Sequence, residues 1–460
     1  MLDELPETLD ETYERVLREI NKAKRVHAHR LLQCLTVAVR PLRIAELAEV
    51  FAVDFGTTSG GQTSNLNPDW RWEDQKQAVL STCSSLIAVV GEDEDSVVQF
   101  SHFSVKEFLT SPRLADSNPD VSRFHIPLGP AHLTLAMACL GTLLRLDDHV
   151  DQYNVKDRFP LAPYAAEHWV EHTQFEDVSS RLREEMETLF DPDGPYFHLW
   201  IRVHNIDVRH TDFSTLHFYT WDYWYKSATP LYYAALCGFH NLAEHLIDNC
   251  SQKVNVRGGH CALPLPAALA NGHFKTAQLL YERGGDIHVA YGRRTLLHAS
   301  SITGQTETVQ WLLSHDADPN VREDAGWTPL ILAANNGWLE VVRILLQHNA
   351  DSNMRGDDYQ TPLHRASEHW YPDVARLLLG HGTEVNALDM NGSTALHLVA
   401  PNEPFGGGFR PKPKEGGLEV ARLLIEYGAD VCAEDNEGRT PFQVASGIDM
   451  IKLLSDLGAK

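Results

Sequence analysis

The sequence predicts a mainly α-helical protein whose C-terminal half is a solenoid of stacked helix pairs. Apolar residues at helical spacing dominate the N-terminal half, and strand-like runs are confined there to one hairpin. In the C-terminal half one segment of about 33 residues recurs in register. We expect a linker helix at 1–24, a domain of helices and a hairpin at 25–115, a helical connector and solenoid cap at 116–225, and repeats at 226–460.

Composition and charge narrow the possible partners. The 460 residues carry 39 basic and 63 acidic side chains, a net charge of −24, which disfavours a general role in nucleic-acid binding. The seven cysteines are scattered without a CxxC pair, which is typical of reduced thiols in the cytoplasm or nucleus. The longest apolar run, Leu133–Leu146, is too short to cross a membrane and predicts a buried helix. We expect no cofactor and no membrane partner.

The repeat is clearest in the copy WTPLILAANNGWLEVVRILLQHNADSN. Thr328 can cap a helix at which Pro329 takes the first position, and Gly337 suits a left-handed residue that ends this helix. An apolar stripe over Val341–Leu346 predicts a second helix. One such pair cannot bury its stripe alone, so the pairs must stack. The copies begin at Thr229, Leu263, Thr295, Thr328, Thr361, Thr394 and Thr440.

This pattern resembles ankyrin repeats over residues 227–460, with a shortened last copy. The resemblance implies a concave protein-binding face made of hairpin fingers and first helices. The histidines His298, His364 and His397 occupy the fourth position of the TPLH-like motif. We expect them to form hydrogen bonds that tie adjacent repeats together, and not to act in catalysis.

The variable positions of the central repeats are the candidate protein-binding residues. Trp370 stands where the helix-ending glycine is expected, and it is either an aromatic binding anchor or, with Tyr371, a packing partner of Trp338. A basic insertion within 401–416 is expected to be a tolerated surface loop. The complete candidate set is Trp327, Leu332, Asn335, Asn336, Gln360, Arg365, Glu368, His369, Trp370 and Tyr371.

The region 25–115 predicts a winged-helix-like domain, because helices are followed by strand-like runs at Leu86–Val90 and Val97–His102. The hairpin tip Glu92–Asp95 is acidic, and the segment 72–84 in the recognition-helix position is net acidic. A packing or regulatory domain is therefore favoured, and a DNA-associated regulator is the alternative. Capping-box patterns predict helix starts at Thr8 with Glu11 and at Ser104 with Glu107.

Three segments, LPETLDETYERVLREI, VVQFSHFSVKEFLTSPR and FPLAPYAAEHWVEH, are similar to segments that follow the ATPase core of fungal NACHT-type signalling NTPases. The resemblance implies a winged helix that closes over nucleotide and repeats that sense a ligand. It also places His102 at a nucleotide-sensing position, although a structural histidine at the strand end is the favoured interpretation.

The chain departs from this family because it contains no GxxxxGK[ST] phosphate-binding loop. We expect either the C-terminal part of a longer protein with an upstream NTPase domain or a shortened relative. Neither form of this polypeptide is expected to hydrolyse nucleotide.

Two other features have competing interpretations. His168, Glu171 and His172 form an HxxEH pattern that can hold zinc on a helix, but no third ligand is evident and a chance match is favoured. The aromatic-rich segment 196–225 is expected to cover the first repeat, in preference to forming a ligand pocket. The sequence therefore predicts a non-enzymatic interaction scaffold or sensor, with a zinc hydrolase as the least favoured hypothesis.

Overall fold

The computed structural model forms two compact units. The first unit comprises Met1–His210 and Thr229–Gln252, and the second comprises Thr211–Ala228 and Lys253–Lys460. The structure describes residues 4–52, 79, 83, 85–91, 96–150, 154–208, 228–288, 290–291, 294–401 and 416–456. The predictions for most of 72–84, for the hairpin tip 92–95, for the aromatic residues 213–225 and for residues 402–415 of the insertion within 401–416 lie outside the described residues.

The described part of the first unit is mainly helical. Its helices are α1 (Glu4–Glu19), α2 (Arg25–Val37), α3 (Ile44–Ala52), α4 (Phe103–Thr110), α5 (Pro112–Ala115), α6 (Pro119–Ser122), α7 (Leu128–Leu143), α8 (Val155–Arg158), α9 (Ala162–Thr173), α10 (Val178–Arg181), α11 (Arg183–Leu189), α12 (Tyr196–Val203), α13 (Pro230–Leu236) and α14 (His240–Asp248). Its strands are β1 (Leu42–Arg43), β2 (Ile87–Val90) and β3 (Val97–Phe100).

The three strands form one antiparallel sheet in the order β1-β3-β2. Ile87 pairs with Phe100 in the predicted hairpin, and Leu42 pairs with Val98 on the other side of β3. Together with helices α2 and α3 this arrangement confirms the predicted winged-helix domain. The sequence did not reveal β1, because two residues are too few to show an alternating pattern.

Both predicted capping boxes are wrong. Helix α4 begins at Phe103, because His102 is extended and its Nδ1 accepts the backbone N–H of Ser104 at 3.3 Å. The Ser104 hydroxyl instead lies 2.6 Å from that ring nitrogen and 2.7 Å from the Tyr13 hydroxyl. Helix α1 begins at Glu4, so Thr8 lies inside it. His102 therefore has a structural role as a helix cap.

The connector packs around α7 and α9, which cross the first unit as neighbours. The buried carboxylate of Glu49 on α3 accepts the backbone N–H of Leu161 at 2.6 Å, just before α9 begins. A buried carboxylate that caps a neighbouring helix satisfies a backbone donor that would otherwise be unpaired. This contact fixes the winged-helix domain against the connector.

The described aromatic side chains of α12 cover the first repeat, as expected. Trp200 lies 5.3 Å from Trp169 and 5.9 Å from Tyr233 of α13, between ring centroids, and its indole N–H donates to the carbonyl of Ala166 at 3.0 Å. Phe197 lies 5.4 Å from Tyr233. The first repeat is thus joined to the connector by a buried aromatic cluster, which accords with its place in the first compact unit.

The second unit is a stack of helix pairs whose connecting segments we call fingers. Its helices are α15 (Pro264–Ala270), α16 (Phe274–Glu282), α17 (Leu296–Thr303), α18 (Thr306–Ser314), α19 (Pro329–Asn335), α20 (Leu339–Gln347), α21 (Pro362–Glu368), α22 (Pro372–Gly380), α23 (Ala395–Val399), α24 (Gly416–Glu426), α25 (Pro441–Val444) and α26 (Ile448–Asp456), with strands β4 (Ala290–Tyr291) and β5 (Arg294–Thr295).

The predicted repeat chemistry is confirmed in the copy that begins at Thr328. Its side chain caps α19 by accepting the backbone N–H of Ile331 at 3.3 Å, and Pro329 takes the first helical position. Gly337 has a φ of 70°, the left-handed conformation that its position after the helix requires. In the described part of the chain, no helix combines the length and the apolar character that crossing a bilayer requires.

Candidate protein-binding surface on the repeats

Histidines fix each finger to the next repeat, as the sequence predicted. The Nδ1 atom of His364 accepts the backbone N–H of Thr361 at 3.2 Å, and its Nε2 lies 3.2 Å from the carbonyl oxygen of Ser393 in the following finger. His298 contacts the carbonyl of Trp327 in the same way. Burial lowers the pKa of both histidines, which favours the neutral ring that this donor and acceptor pattern needs.

Backbone hydrogen bonds join successive fingers into one continuous edge. The N–H of Asp357 donates to the carbonyl of Ala325 at 3.0 Å, and the N–H of Met390 donates to the carbonyl of Asp358 at 3.0 Å. The N–H of Asn436 continues this series to the carbonyl of Asn391 at 2.9 Å. Side chains on neighbouring fingers are therefore held in a fixed order along the edge.

Arg365 is the centre of a charged and aromatic cluster at the base of two fingers. Its guanidinium lies 4.4 Å from the ring centroid of Trp327, a cation–π geometry. The same group donates to the carboxylate of Glu368 at 3.0 Å and to that of Asp358. Two carboxylates surround one guanidinium, so the cluster presents a net negative charge and a rigid aromatic surface.

The amide side chains predicted for the inner surface differ in accessibility. Asn335 is half-buried, and its Oδ1 lies 3.1 Å from Nε2 of the buried His369. Asn336 is buried, with its side-chain amide donating to the carbonyl of Leu332 at 2.9 Å. Gln360 is half-buried and donates to the carboxylate of Asp389 at 3.3 Å. The half-buried members of the candidate set are Trp327, Asn335, Gln360, Arg365 and Glu368.

Trp370 and Tyr371 are both only 8% exposed, and each is in close contact with a glycine of a neighbouring repeat. A Cβ on Gly337 would lie 2.8 Å from the Tyr371 ring, and a Cβ on Gly417 would lie 3.1 Å from the Trp370 ring. These glycines are packing neighbours in addition to Trp338, whose contact with the pair stays a prediction. The aromatic pair thus fills notches between repeats.

The structure adds exposed apolar side chains that sequence reasoning missed. Tyr359, Leu388 and Met390 lie on adjacent fingers and are 58%, 47% and 60% exposed. Their positions next to the turn residues of each finger gave a signal, since apolar residues are uncommon there. They flank Gln360, which the sequence had selected.

The histidines of the HxxEH pattern are engaged with other protein groups. His172 is buried, with Nε2 2.8 Å from the Tyr164 hydroxyl and Nδ1 3.0 Å from Nδ1 of His132. His168 Nδ1 lies 3.2 Å from the carboxylate of Glu171. Across the described residues, no cluster of three or more His, Cys, Asp or Glu side chains is suited to hold a metal ion.

Comparison with protein families gives three matches. Ankyrin repeats match residues 296–389 as three copies, and a further ankyrin repeat matches 391–436. Residues 13–120 match the winged helix domain of GPI inositol-deacylase. This third match includes the C-terminal part of α1, whose Tyr13 lies 5.5 Å from Phe108 of α4.

Similar proteins come from several organisms. "Azaphilone pigments biosynthesis cluster protein L" of Monascus ruber is 33% identical over 304 residues, which cover 62% of this chain and 61% of that protein. "E3 ubiquitin-protein ligase HACE1" of Xenopus tropicalis is 37% identical over 68 residues, 14% of this chain and 8% of the ligase. Human "Transient receptor potential cation channel subfamily A member 1" is 35% identical over 87 residues, 18% of this chain and 8% of the channel.

The matched segments span less than two thirds of each of these relatives. Residues 13–120, 296–389 and 391–436 are nevertheless assigned at the level of domains. The chain is a mainly helical protein that combines a winged helix domain of the GPI inositol-deacylase type with C-terminal ankyrin repeats, and the repeats indicate a role in protein interaction.

Proposed function

We propose that this protein is a non-enzymatic scaffold or sensor that binds a protein partner through the fingers and first helices of its central repeats. The observation that supports this most directly is the Arg365 cluster, in which an aromatic ring and three charged groups are held in a fixed arrangement and are each partly exposed. Such preorganised aromatic and arginine groups are typical of protein-binding hot spots.

The backbone hydrogen bonds between successive fingers give a second argument for this surface. Hydrogen bonds between successive fingers hold the variable side chains in place before a partner arrives. A rigid surface loses little conformational entropy on binding, so more of the contact energy contributes to affinity. The proposal therefore requires no rearrangement of the repeats.

The test compares two double variants with equal changes in charge. Asn335→Arg with Gln360→Arg alters the proposed surface, whereas Gln310→Arg with Gln347→Arg alters exposed positions on α18 and α20. Tagged full-length protein is purified from its native host, and co-purifying proteins are quantified by mass spectrometry. We expect the first variant to lose a specific partner and the second to retain it; equal retention, or equal loss, contradicts the proposal.

We further propose that the chain belongs to, or derives from, a NACHT-type signalling switch. The order of a winged helix at 13–120 followed by ankyrin repeats from 296 supports this proposal. The similarity of LPETLDETYERVLREI and VVQFSHFSVKEFLTSPR to segments of those NTPases supports it as well. In such a switch the repeats would sense the partner and the winged helix would transmit the binding event.

The size of the endogenous protein tests this second proposal. An antibody against the repeats is used for immunoblotting, and the 5′ end of the transcript is mapped. A band well above 51.6 kDa with an upstream GxxxxGK[ST] sequence supports a sensor region within an NTPase. A 51.6-kDa band, together with no effect of winged-helix substitutions on partner signalling, contradicts a switch and leaves a stand-alone scaffold.

A further inference from the structure

Three exposed apolar side chains lie on two adjacent fingers that a backbone hydrogen bond joins. Tyr359, Leu388 and Met390 are about half exposed or more, and the N–H of Met390 donates to the carbonyl of Asp358, the neighbour of Tyr359. The guanidinium of Arg355 reaches the carbonyl of Leu388 at 3.5 Å. We call Tyr359, Leu388 and Met390 the finger strip. Apolar side chains on adjacent fingers leave surface that a partner can cover.

The surroundings of the finger strip are acidic. The fingers 322–327, 355–360, 388–393 and 434–439 together hold eight acidic residues and three arginines. The side chains of Asp357 and Glu437, on the fingers 355–360 and 434–439, are 67% and 68% exposed. Each has one arginine beside it, since Arg322 lies 4.0 Å from Asp357 and Arg439 lies 2.8 Å from Glu437. This excess of negative charge repels nucleic acid and anionic lipid and attracts cationic groups.

We propose, on the basis of the protein-binding function above, that the finger strip docks a basic segment of a partner protein in which cationic and apolar side chains alternate. The apolar side chains of that segment cover the finger strip, and its Lys or Arg side chains lie beside the finger carboxylates. Apolar burial provides most of the affinity, while charge complementarity selects the partner and accelerates encounter. An acidic or uncharged segment with the same apolar side chains would lack the charge complementarity.

The test uses a labelled peptide in which Lys and Leu alternate, measured against the full chain by fluorescence anisotropy. Matched peptides replace Lys with Glu or Leu with Ser. The protein variants are Asp357→Lys with Glu437→Lys for charge and Tyr359→Asn with Met390→Gln for apolar contact. Glu307→Lys with Glu426→Lys is the charge control, because both glutamates are exposed and lie on α18 and α24, the second helices of their repeats. Thermal unfolding establishes that each variant is folded.

We expect the Lys–Leu peptide to bind at least about tenfold more tightly than either matched peptide, and either strip variant to weaken it by about tenfold or more. The control variant should bind within about twofold of the unaltered protein. Equal binding of all three peptides, or equal weakening by the control, overturns the inference. If the peptide fails while Asn335→Arg with Gln360→Arg still abolishes partner capture, the basic partner is wrong and the protein-binding function stands.

Discussion

At the scale of single residues, two aromatic side chains adopt the same unusual backbone conformation for different reasons. Tyr359 has a φ of 61° and Trp370 a φ of 59°, in the left-handed region that favours glycine. Tyr359 is 58% exposed, whereas Trp370 is 8% exposed and packs against Gly417. Backbone strain at Trp370 is offset by packing, and strain at Tyr359 has no such compensation within the repeats.

Glycine substitution at the two positions should therefore change stability differently. Tyr359→Gly removes strain and little packing, so its unfolding free energy should stay the same or rise by up to about 1 kcal/mol. Trp370→Gly leaves a cavity beside Gly417 and should lower the unfolding free energy by about 3 kcal/mol. Urea denaturation of both variants measures the difference. An increase in stability for Trp370→Gly would show that the ring has no packing role.

The sequence left the role of Trp370 open because its packing partner could not be identified from the chain order. Gly417 follows the insertion at 402–415, which separates it from the preceding helix and breaks the regular spacing of the repeats. Tyr359 was overlooked because its exposure depends on the backbone hydrogen bonds between successive fingers, which the sequence does not show. The role of His364 could be predicted, because its two contacts recur at a fixed spacing in several copies.

At the scale of helices and strands, periodicity predicted α2, α3 and the hairpin of β2 and β3 closely. The predicted helix starts at α1 and α4 were wrong, because Thr8 lies one turn inside α1 and because His102, two residues before Ser104, caps α4. The buried connector around α7 and α9 holds polar contacts that no spacing rule anticipated. One of them leads to a prediction about stability in acid.

This polar network runs through three side chains between α7 and α9. The Tyr164 hydroxyl accepts the backbone N–H of Val39 at 3.2 Å and contacts Nε2 of His172, whose Nδ1 contacts His132. Desolvation, with the neighbouring His132 and His168, lowers the pKa of His172 to about 3. A proton on both rings would place two N–H donors face to face at the Nδ1–Nδ1 contact, so at least one of the two histidines must be neutral.

The pKa of His172 predicts a loss of stability in acid. Between the unfolded value of 6.5 and the folded value of about 3 the unfolded chain binds the proton more strongly, so stability falls as pH falls through this range. Between pH 7.5 and pH 5 this histidine alone should lower the unfolding free energy by about 2 kcal/mol. Urea denaturation monitored by tryptophan fluorescence measures it, since Trp169 and Trp200 lie in the same buried connector.

His172→Gln provides the matched comparison for this prediction, because glutamine can hydrogen-bond and does not titrate. The variant can be less stable at every pH, but its stability should depend less steeply on pH below 6.5. Buried histidines remote from this network, such as His298 and His364, remain in both proteins and cancel in the difference between slopes, so the difference reports His172 with its neighbours His132 and His168. Identical slopes for the two proteins would rule out His172 as a source of acid sensitivity.

At the scale of the whole molecule, the chain divides into two compact units with different architectures. The first combines a winged helix, a connector and the first repeat, and the second contains the remaining repeats. The ankyrin-repeat architecture of the C-terminal half could be predicted, because similar capping, helix-ending and apolar residues recur at the same spacing along it. The partner is not encoded in that chemistry, since the shared residues build the scaffold and the variable ones determine binding.

The central claim is that a protein partner binds the finger edge and first helices of the central repeats. Hydrogen–deuterium exchange of the full chain, with and without its purified partner, tests this most directly. We predict that binding slows exchange at 355–369 and 388–393, while the outer helices α18 and α20 exchange as in the free protein. Slower exchange confined to the outer helices or to the winged helix at 13–120, with the fingers unchanged, would contradict the account.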